Sequence, residues 1–218
     1  MGGTGTFVMM GVMQLTKFAH ACVRFETSEG RVVIDPGAFS GEDPLIDADA
    51  VLITHLHFDH IQPDVLRDLR RKRPDLAIYG PPSLAEPLGD LEFTAVRHGD
   101  VVEAAGLSFA VVGEEHAVIH ASIPVIENVG YLVDGIFHPG DALTVPEAPV
   151  STLLAPVSAP WLKLGEAADF INEVAPALVH PIHDVLLSDI GTNVTDSILG
   201  GLIGSEYVRL GIGENVTL

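Results

Sequence analysis

The 218-residue chain has one cysteine, Cys22. That excludes an intramolecular disulfide and a thiolate-built metal cluster, and it fits a reducing cytoplasm. Cations are scarce too. The 11 Lys and Arg stand against 30 Asp and Glu, giving a formal charge of −19. So acidic a chain is poorly suited to gripping nucleic-acid phosphates or an anionic membrane, and neither partner is expected. The chain has no uncharged apolar run long enough to cross a bilayer. Between Met1 and Gly11 there is no Lys or Arg, so no secretory signal is read there. The Gly-rich opening predicts a flexible extension over 1–12 and a single domain over 13–218, with Met9, Met10 and Met13 as alternative starts to Met1. Apolar residues, at 47%, are too abundant for a disordered chain, and the ten histidines are the compositional oddity.

Short apolar runs alternate with turn signals. Cys22–Glu26 and Arg31–Asp35 read as a hairpin, as do Val129–Val133 and Ile136–His138 around Asp134-Gly135. Further strands are predicted at Val51–Thr54, Ala77–Tyr79, Leu91–Val96, Val101–Ala104, Leu107–Val112, Thr152–Leu154 and Ala177–Val179. Pro63 at a first helical position, Asp64 behind it and bases at the end predict a helix to Arg73, stopped by Pro74. Pro82–Leu88 reads as a helical turn, and Glu166–Val174 and Thr192–Leu202 as helices. The order of hairpins followed by strand–helix–strand occurs twice. It implies an α/β domain with two sheets face to face and helices outside.

The informative segment is Thr54-His55-Leu56-His57-Phe58-Asp59-His60. It lies at the end of a predicted strand and just before a helix. His55 and His57 are two apart, so in extended chain they point to one side and can share a metal. Asp59 and His60 fall in the turn beyond and suit a second metal. Leu56 and Phe58 alternate with them and anchor the segment. Imidazole and carboxylate donors suit Zn²⁺, and also Fe²⁺ or Mn²⁺.

This segment resembles the signature of the metallo-β-lactamase fold superfamily, whose fold is a four-layer αββα sandwich. Other segments resemble the family in order, from Gln14 to His183. Val33-Ile34-Asp35-Pro36-Gly37 matches a strand-end Asp-Pro-Gly and makes Asp35 a partner of a metal-binding histidine. His116 matches the third histidine of the first metal site. His138-Pro139-Gly140-Asp141 matches the family's Gly-Asp segment, so Asp141 would bridge two metals. Val179-His180-Pro181-Ile182-His183 matches the strand-end Pro-x-His, so His183 would complete the second site. The resemblance thus implies one site of His55, His57 and His116, and another of Asp59, His60 and His183, both touched by Asp141. It implies a hydrolase acting through a metal-bound hydroxide, with Asp59 also orienting the nucleophile or taking its proton. The chain looks most like the small L-ascorbate-6-phosphate lactonase group, which suggests a small-molecule ester, lactone or phosphoester as substrate.

The other candidates are weighed against plain structural roles. His20 and His138 are possible pocket or supporting residues. His180, His98, His120 and the apolar-strand Cys22 read as structural or surface groups. Arg67, Arg70, Arg71, Lys72 and Arg73 read as a solvated helix end. The alternatives to hydrolysis are an iron-dependent oxidoreductase of the persulfide dioxygenase type and a non-catalytic metal-binding module.

Overall fold

Side-chain alternation along the strands decides the layering. A computed structural model describes residues 12–218, so the expected N-terminal extension, apart from exposed Val12, lies outside the described residues. The first half runs β1 (Gln14–Lys17), β2 (Val23–Thr27), β3 (Gly30–Ile34), β4 (Ala50–Leu52), α1 (Pro63–Lys72), β5 (Ala77–Gly80), α2 (Ala85–Leu88) and β6 (Thr94–Ala95). The second runs β7 (Val101–Ala104), β8 (Leu107–Val112), β9 (Gly130–Val133), β10 (Ile136–His138), β11 (Thr152–Pro156), α3 (Leu164–Val174), β12 (Leu178–Ile182), α4 (Asp189–Leu202), β13 (Glu206–Tyr207) and β14 (Asn215–Thr217).

One seven-stranded sheet has the order β14-β1-β2-β3-β4-β5-β6, the other β13-β12-β11-β10-β9-β8-β7. In each, antiparallel hairpins give way to parallel strands: β3, β4, β5 and β6 in the first, β10, β11, β12 and β13 in the second. Val32, Ile34 and Leu52 point inward to meet Phe109, Tyr131 and Val133 of the facing sheet. Their neighbours Val33, Val51 and Ile53 point outward, onto Leu66 of α1 and Leu84 and Leu88 near α2. In the second sheet Leu132, Phe137, Leu153 and Val179 point outward, onto Phe170, Ile171 and Leu199 of α3 and α4. Period-two alternation with both faces apolar can be satisfied only by covering both faces. Each such buried Leu, Ile or Phe contributes about 1.5–3 kcal/mol. The result is the expected αββα sandwich.

The elements differ from expectation in instructive places. β1 was not foreseen, because its polar Thr16 and Lys17 are buried. Lys17 Nζ is satisfied by Phe18 O and Asp184 Oδ1, at 3.0 and 3.2 Å. The run Leu91–Val96 pairs only at Thr94–Ala95, on an edge. Helix α1 stops at Lys72 because Pro74 holds Arg73 extended, at φ −129° and ψ 85°. The C-terminal tail clasps both sheets: β13 adds to β12, and β14 to β1. No helix among the described residues is long and apolar enough to cross a membrane.

The parallel strands of both sheets end on the same rim, where open α/β sheets place their ligands. Gly37, just past β3, lets two rim segments touch. A Cβ there would lie 1.8 Å from the carbonyl oxygen of Asp59 and 2.4 Å from the amide nitrogen of His60. Gly37→Ala is therefore expected to lower the thermal midpoint by about 5–10 °C. Gly200→Ala on α4, whose Cβ would meet nothing, is expected to raise it slightly. Calorimetry of both variants checks the pair.

Candidate metal centre

Each group at the rim is aimed by the strand or turn that carries it. Asp35 follows β3 at φ 52° and is fully buried. Its Oδ1 accepts the Thr54 amide at 2.8 Å, and its Oδ2 accepts the Thr54 hydroxyl at 2.6 Å and His60 Nδ1–H at 2.7 Å. One carboxylate thus ties the ends of β3 and β4 to the turn beyond. Since Thr54 donates to Asp35, His55 Nδ1–H donates to Thr54 Oγ1 at 2.9 Å, and the ring's Nε2 faces inward. His116, beyond β8, donates Nδ1–H to Ala117 O. His183, beyond β12 and at φ 56°, donates Nδ1–H to Ser158 O at 2.7 Å. Outer nitrogens held in this way fix the tautomer and leave a lone pair on the inner one, as ligating imidazoles require.

Asp141 stands where the inner atoms meet. Its loop depends on Gly140, at φ 63°, where a Cβ would come within 2.4 Å of Asn128 Oδ1 and 2.7 Å of Thr54 Cβ. Asn128 holds the loop by donating to Pro139 O and accepting the Asp141 amide, both at 2.9 Å. Asp141 Oδ2 lies 3.4 Å from His116 Nε2, 3.0 Å from His183 Nε2 and 3.9 Å from His55 Nε2. Its Oδ1 lies 3.2 Å from His60 Nε2. His55 Nε2 is also 3.1 Å from His57 Nδ1. Among the described residues, His60 Nε2, His116 Nε2, His183 Nε2 and Asp141 Oδ1 are buried without a hydrogen-bond partner.

Buried acceptors facing one another with no donor are costly, and a cation at their focus removes the cost. Donors around a tetrahedral ion such as Zn²⁺ sit about 3.3 Å apart, the spacing seen here. The donors form two groups, His55, His57, His116 and Asp141 in one and His20, Asp59, His60 and His183 in the other, each with its ligand atoms within 4.8 Å. The residues therefore fit two metal ions, with Asp141 within reach of both groups. Electrostatics agree. Burial resists ionisation of Asp141, yet the flanking His60 and His55 hold its carboxyl well below the usual range. Burial also resists a charge on His60, but Asp141 and Asp35 on either side hold its pKa well above the ordinary imidazole value. Carboxylates that favour a proton on His60 favour a metal cation equally. Burial pushes the pKa of His55 far down, leaving its lone pair available.

The structure brings together all seven residues expected as ligands, and it places the Asp35 carboxylate in a hydrogen bond with His60 Nδ1–H. His20 comes closer than a pocket wall. It sits at φ 62° on the turn after β1, and its Nε2–H donates to Asp59 Oδ2 at 3.1 Å. Its ring centroid is 3.8 Å from that of His183. His138 instead bonds backbone: Nε2–H donates to Ala21 O at 2.8 Å, and Nδ1 accepts the Gly140 amide. His180 donates to Val208 O, while His98 and His120 stay exposed on loops. Cys22, expected within an apolar strand, is buried directly before β2, and burial pushes its thiol pKa up.

A family profile described as a beta-lactamase superfamily domain matches residues 14–183. The chain belongs to the β-lactamase superfamily. It is 43% identical to protein Rv0786c of Mycobacterium tuberculosis over 183 residues, 81% of this chain and 86% of that protein. Among solved structures it resembles Igni18, a metallo hydrolase from the archaeon Ignicoccus hospitalis. That match has a TM-score of 0.71 and 23% identity, and it covers 95% of this chain and 98% of Igni18. It also resembles CmlA, a diiron β-hydroxylase from Streptomyces venezuelae. Here the TM-score is 0.64 and the identity 14%, and the match covers 95% of this chain and 54% of CmlA.

Trp161 is the site residue that sequence reasoning missed. It lies beyond β11, and its Nε1–H donates to Asp141 Oδ2 at 3.0 Å. Its ring centroid is 5.8 Å from that of His116 and 6.1 Å from that of His183. The available signal was the chain's one tryptophan standing just past a parallel strand. Trp161→Phe keeps the ring and removes the donor. Chelator competition is expected to show metal affinity weakened about 10–100-fold, the usual effect of losing a partner of a ligand. An unchanged affinity would mean that this hydrogen bond does not orient Asp141.

Proposed function

We propose that this β-lactamase superfamily member is a hydrolase with a two-metal centre, most simply two Zn²⁺, acting on an ester, lactone or phosphoester of a small molecule. The observation that carries this reading is the single carboxylate, Asp141, shared by two groups of inward-facing donors. In the proposed scheme His55, His57 and His116 hold one ion, Asp59, His60 and His183 hold the other, and Asp141 reaches both. When bound, the ions supply Lewis acidity and lower the pKa of water toward about 7.

The chain's own groups do the rest. His57 and Asp59 are the half-buried members of the two groups, so they mark the side open to substrate. Burial resists ionisation of Asp59, but the His20 hydrogen bond holds its carboxyl below the ordinary value. A carboxylate fixed in this way orients an attacking water and accepts its proton. His20 is then a positioning residue for Asp59. Ion pairs place the Lys17 and Arg209 cations on Asp184, directly after His183, and His183 N donates to His20 O at 3.1 Å. The second group is thereby braced from behind. A lone cysteine, buried and unpaired among the described residues, supports a reducing cytoplasmic setting.

A second reading is an iron-dependent oxidoreductase. The all-nitrogen-and-oxygen donor set suits iron as well as zinc, and CmlA, similar in fold over about half of its chain, is a diiron enzyme.

Elemental analysis of protein purified without a chelating tag tests both readings. About two zinc per chain, with ester, lactone or phosphodiester cleavage abolished by a chelator, is the expected result. Iron with oxygen uptake and no hydrolysis selects the oxidoreductase. His57→Ala is expected to lower the metal count toward one and remove hydrolysis, while Asp141→Ala loosens both ions together. Retention of both ions in Asp141→Ala would refute the shared carboxylate.

A further inference from the structure

We propose that the substrate is an uncharged carboxylic ester or lactone with an apolar substituent, rather than a phosphoester. The inference rests on the hydrolase reading and adds its substrate class. The open side of the second donor group is aromatic. The Phe39 ring stands edge-on to His20 at 5.3 Å, and Phe58 stands edge-on to Phe39 at 5.7 Å. Phe58, expected to anchor the segment to the core, instead stands 65% exposed between the donors His57 and Asp59. The Ala38 amide donates to Phe58 O at 2.9 Å, so the two aromatic segments are fixed to each other. The loop leaving His116, a donor of the first group, carries a further exposed apolar side chain, Val118, at 60%. Large apolar side chains left in water beside a reactive centre are ready to pack on an apolar ligand.

The charges point the same way. A phosphoester keeps negative charge throughout hydrolysis, and sites that take it supply cations or free backbone donors. Here every Lys and Arg except Lys72 is ion-paired with a carboxylate. Lys72 lies in the last turn of α1, at the end away from the donors. Lys163, two residues past Trp161, is held by Glu166 at 3.3 Å. Exposed Glu114 and Glu115 directly precede His116. With a net charge of −19, the field over the rim repels an anionic substrate and leaves a neutral one unaffected. In the reaction, water's oxygen bonds to the acyl carbon and the acyl carbon–oxygen bond breaks. One water proton passes through Asp59 to the departing alcohol, and the acid product releases the other.

The test compares metal-loaded protein on 4-nitrophenyl acetate, 4-nitrophenyl hexanoate and bis(4-nitrophenyl) phosphate, each rate divided by its uncatalysed rate. The hexanoate is expected to exceed the acetate about tenfold in kcat/KM, since the extra methylenes leave water on the aromatic pair. Phe58→Ala, with metal content and circular dichroism unchanged, is expected to bring that ratio near one. The phosphodiester is expected to show the smallest acceleration, and Lys163→Ala to leave ester turnover unchanged. A larger acceleration of the phosphodiester, above all one lost in Lys163→Ala, would overturn the substrate class and leave the hydrolase standing. A hexanoate-to-acetate ratio that survives Phe58→Ala would overturn the role of the aromatic pair. Turnover of none of the three by fully metal-loaded protein would instead bring down the hydrolase reading.

Discussion

The arrangement depends on a buried carboxylate surrounded by inward-facing imidazole nitrogens. Asp141 is 2% exposed and lies within 3.9 Å of four imidazole nitrogens, of which those of His60, His116 and His183 have no hydrogen-bond partner among the described residues. Such a constellation is unfavourable unless a cation occupies it, and the surroundings keep it from relaxing. Asn128 grips both sides of the Asp141 loop, and Trp161 grips one carboxylate oxygen. Asp35 pins His60 and, through Thr54, His55. His20, Asp35 and His183 all sit at positive φ, a cost of about 1–3 kcal/mol each that a chain tolerates where surrounding structure over-determines the backbone. Rigidity of the core is what makes the unfavourable focus possible.

The two donor groups also explain why the fold needs both sheets. His55, His57, Asp59 and His60 come from the end of β4 in one sheet, while His116, Asp141 and His183 come from β8, β10 and β12 in the other. Distances near 3 Å between donors are therefore set by the packing of Val32, Ile34 and Leu52 against Phe109, Tyr131 and Val133. Close-packed interiors resist sliding, so the metal geometry is fixed by residues that never touch a metal. The Tyr131 hydroxyl makes the link literal by donating to Ile53 O, at 2.9 Å, one residue before Thr54. The C-terminal tail reinforces it by pairing with the edges of both sheets.

What the sequence revealed follows the range of each interaction. The pairing of His55 with His57, and the turn that carries Asp59 and His60, are local geometry and could be read from spacing. So could α1, whose proline start, charge order and proline stop lie within one segment. His116, Asp141 and His183 are separated by tens of residues, and only the resemblance to a known family placed them together. Trp161 had neither help: its contact with Asp141 arises from the packing of β10 against β11 and carries no motif. His20 was visible as a candidate, but its hydrogen bond to Asp59 depends on a left-handed turn that Ala19-His20-Ala21 does not announce. β1 was hidden because Lys17 is buried through Asp184, a partner 167 residues away.

The acidic composition and the metal centre belong to one electrostatic argument. A charge of −19 favours divalent cations near the protein and adds to what the local carboxylates contribute. Exposed charges act only over about 8–10 Å at physiological salt, so the bulk of that field is felt at the rim rather than at the buried donors. At the donors the field is local and comes from Asp35, Asp59 and Asp141. A single ion added to the first group, three neutral imidazoles and one carboxylate, leaves that group positive. The second group brings Asp59, with Asp35 behind His60. The carboxylates are thus concentrated on the side of the second group, and an ion held by the first group would be the stronger electron-pair acceptor of the two. Under the proposed scheme an ion held by the first group would supply the Lewis acidity toward a substrate oxygen, while Asp59, held by His20, would orient the attacking water.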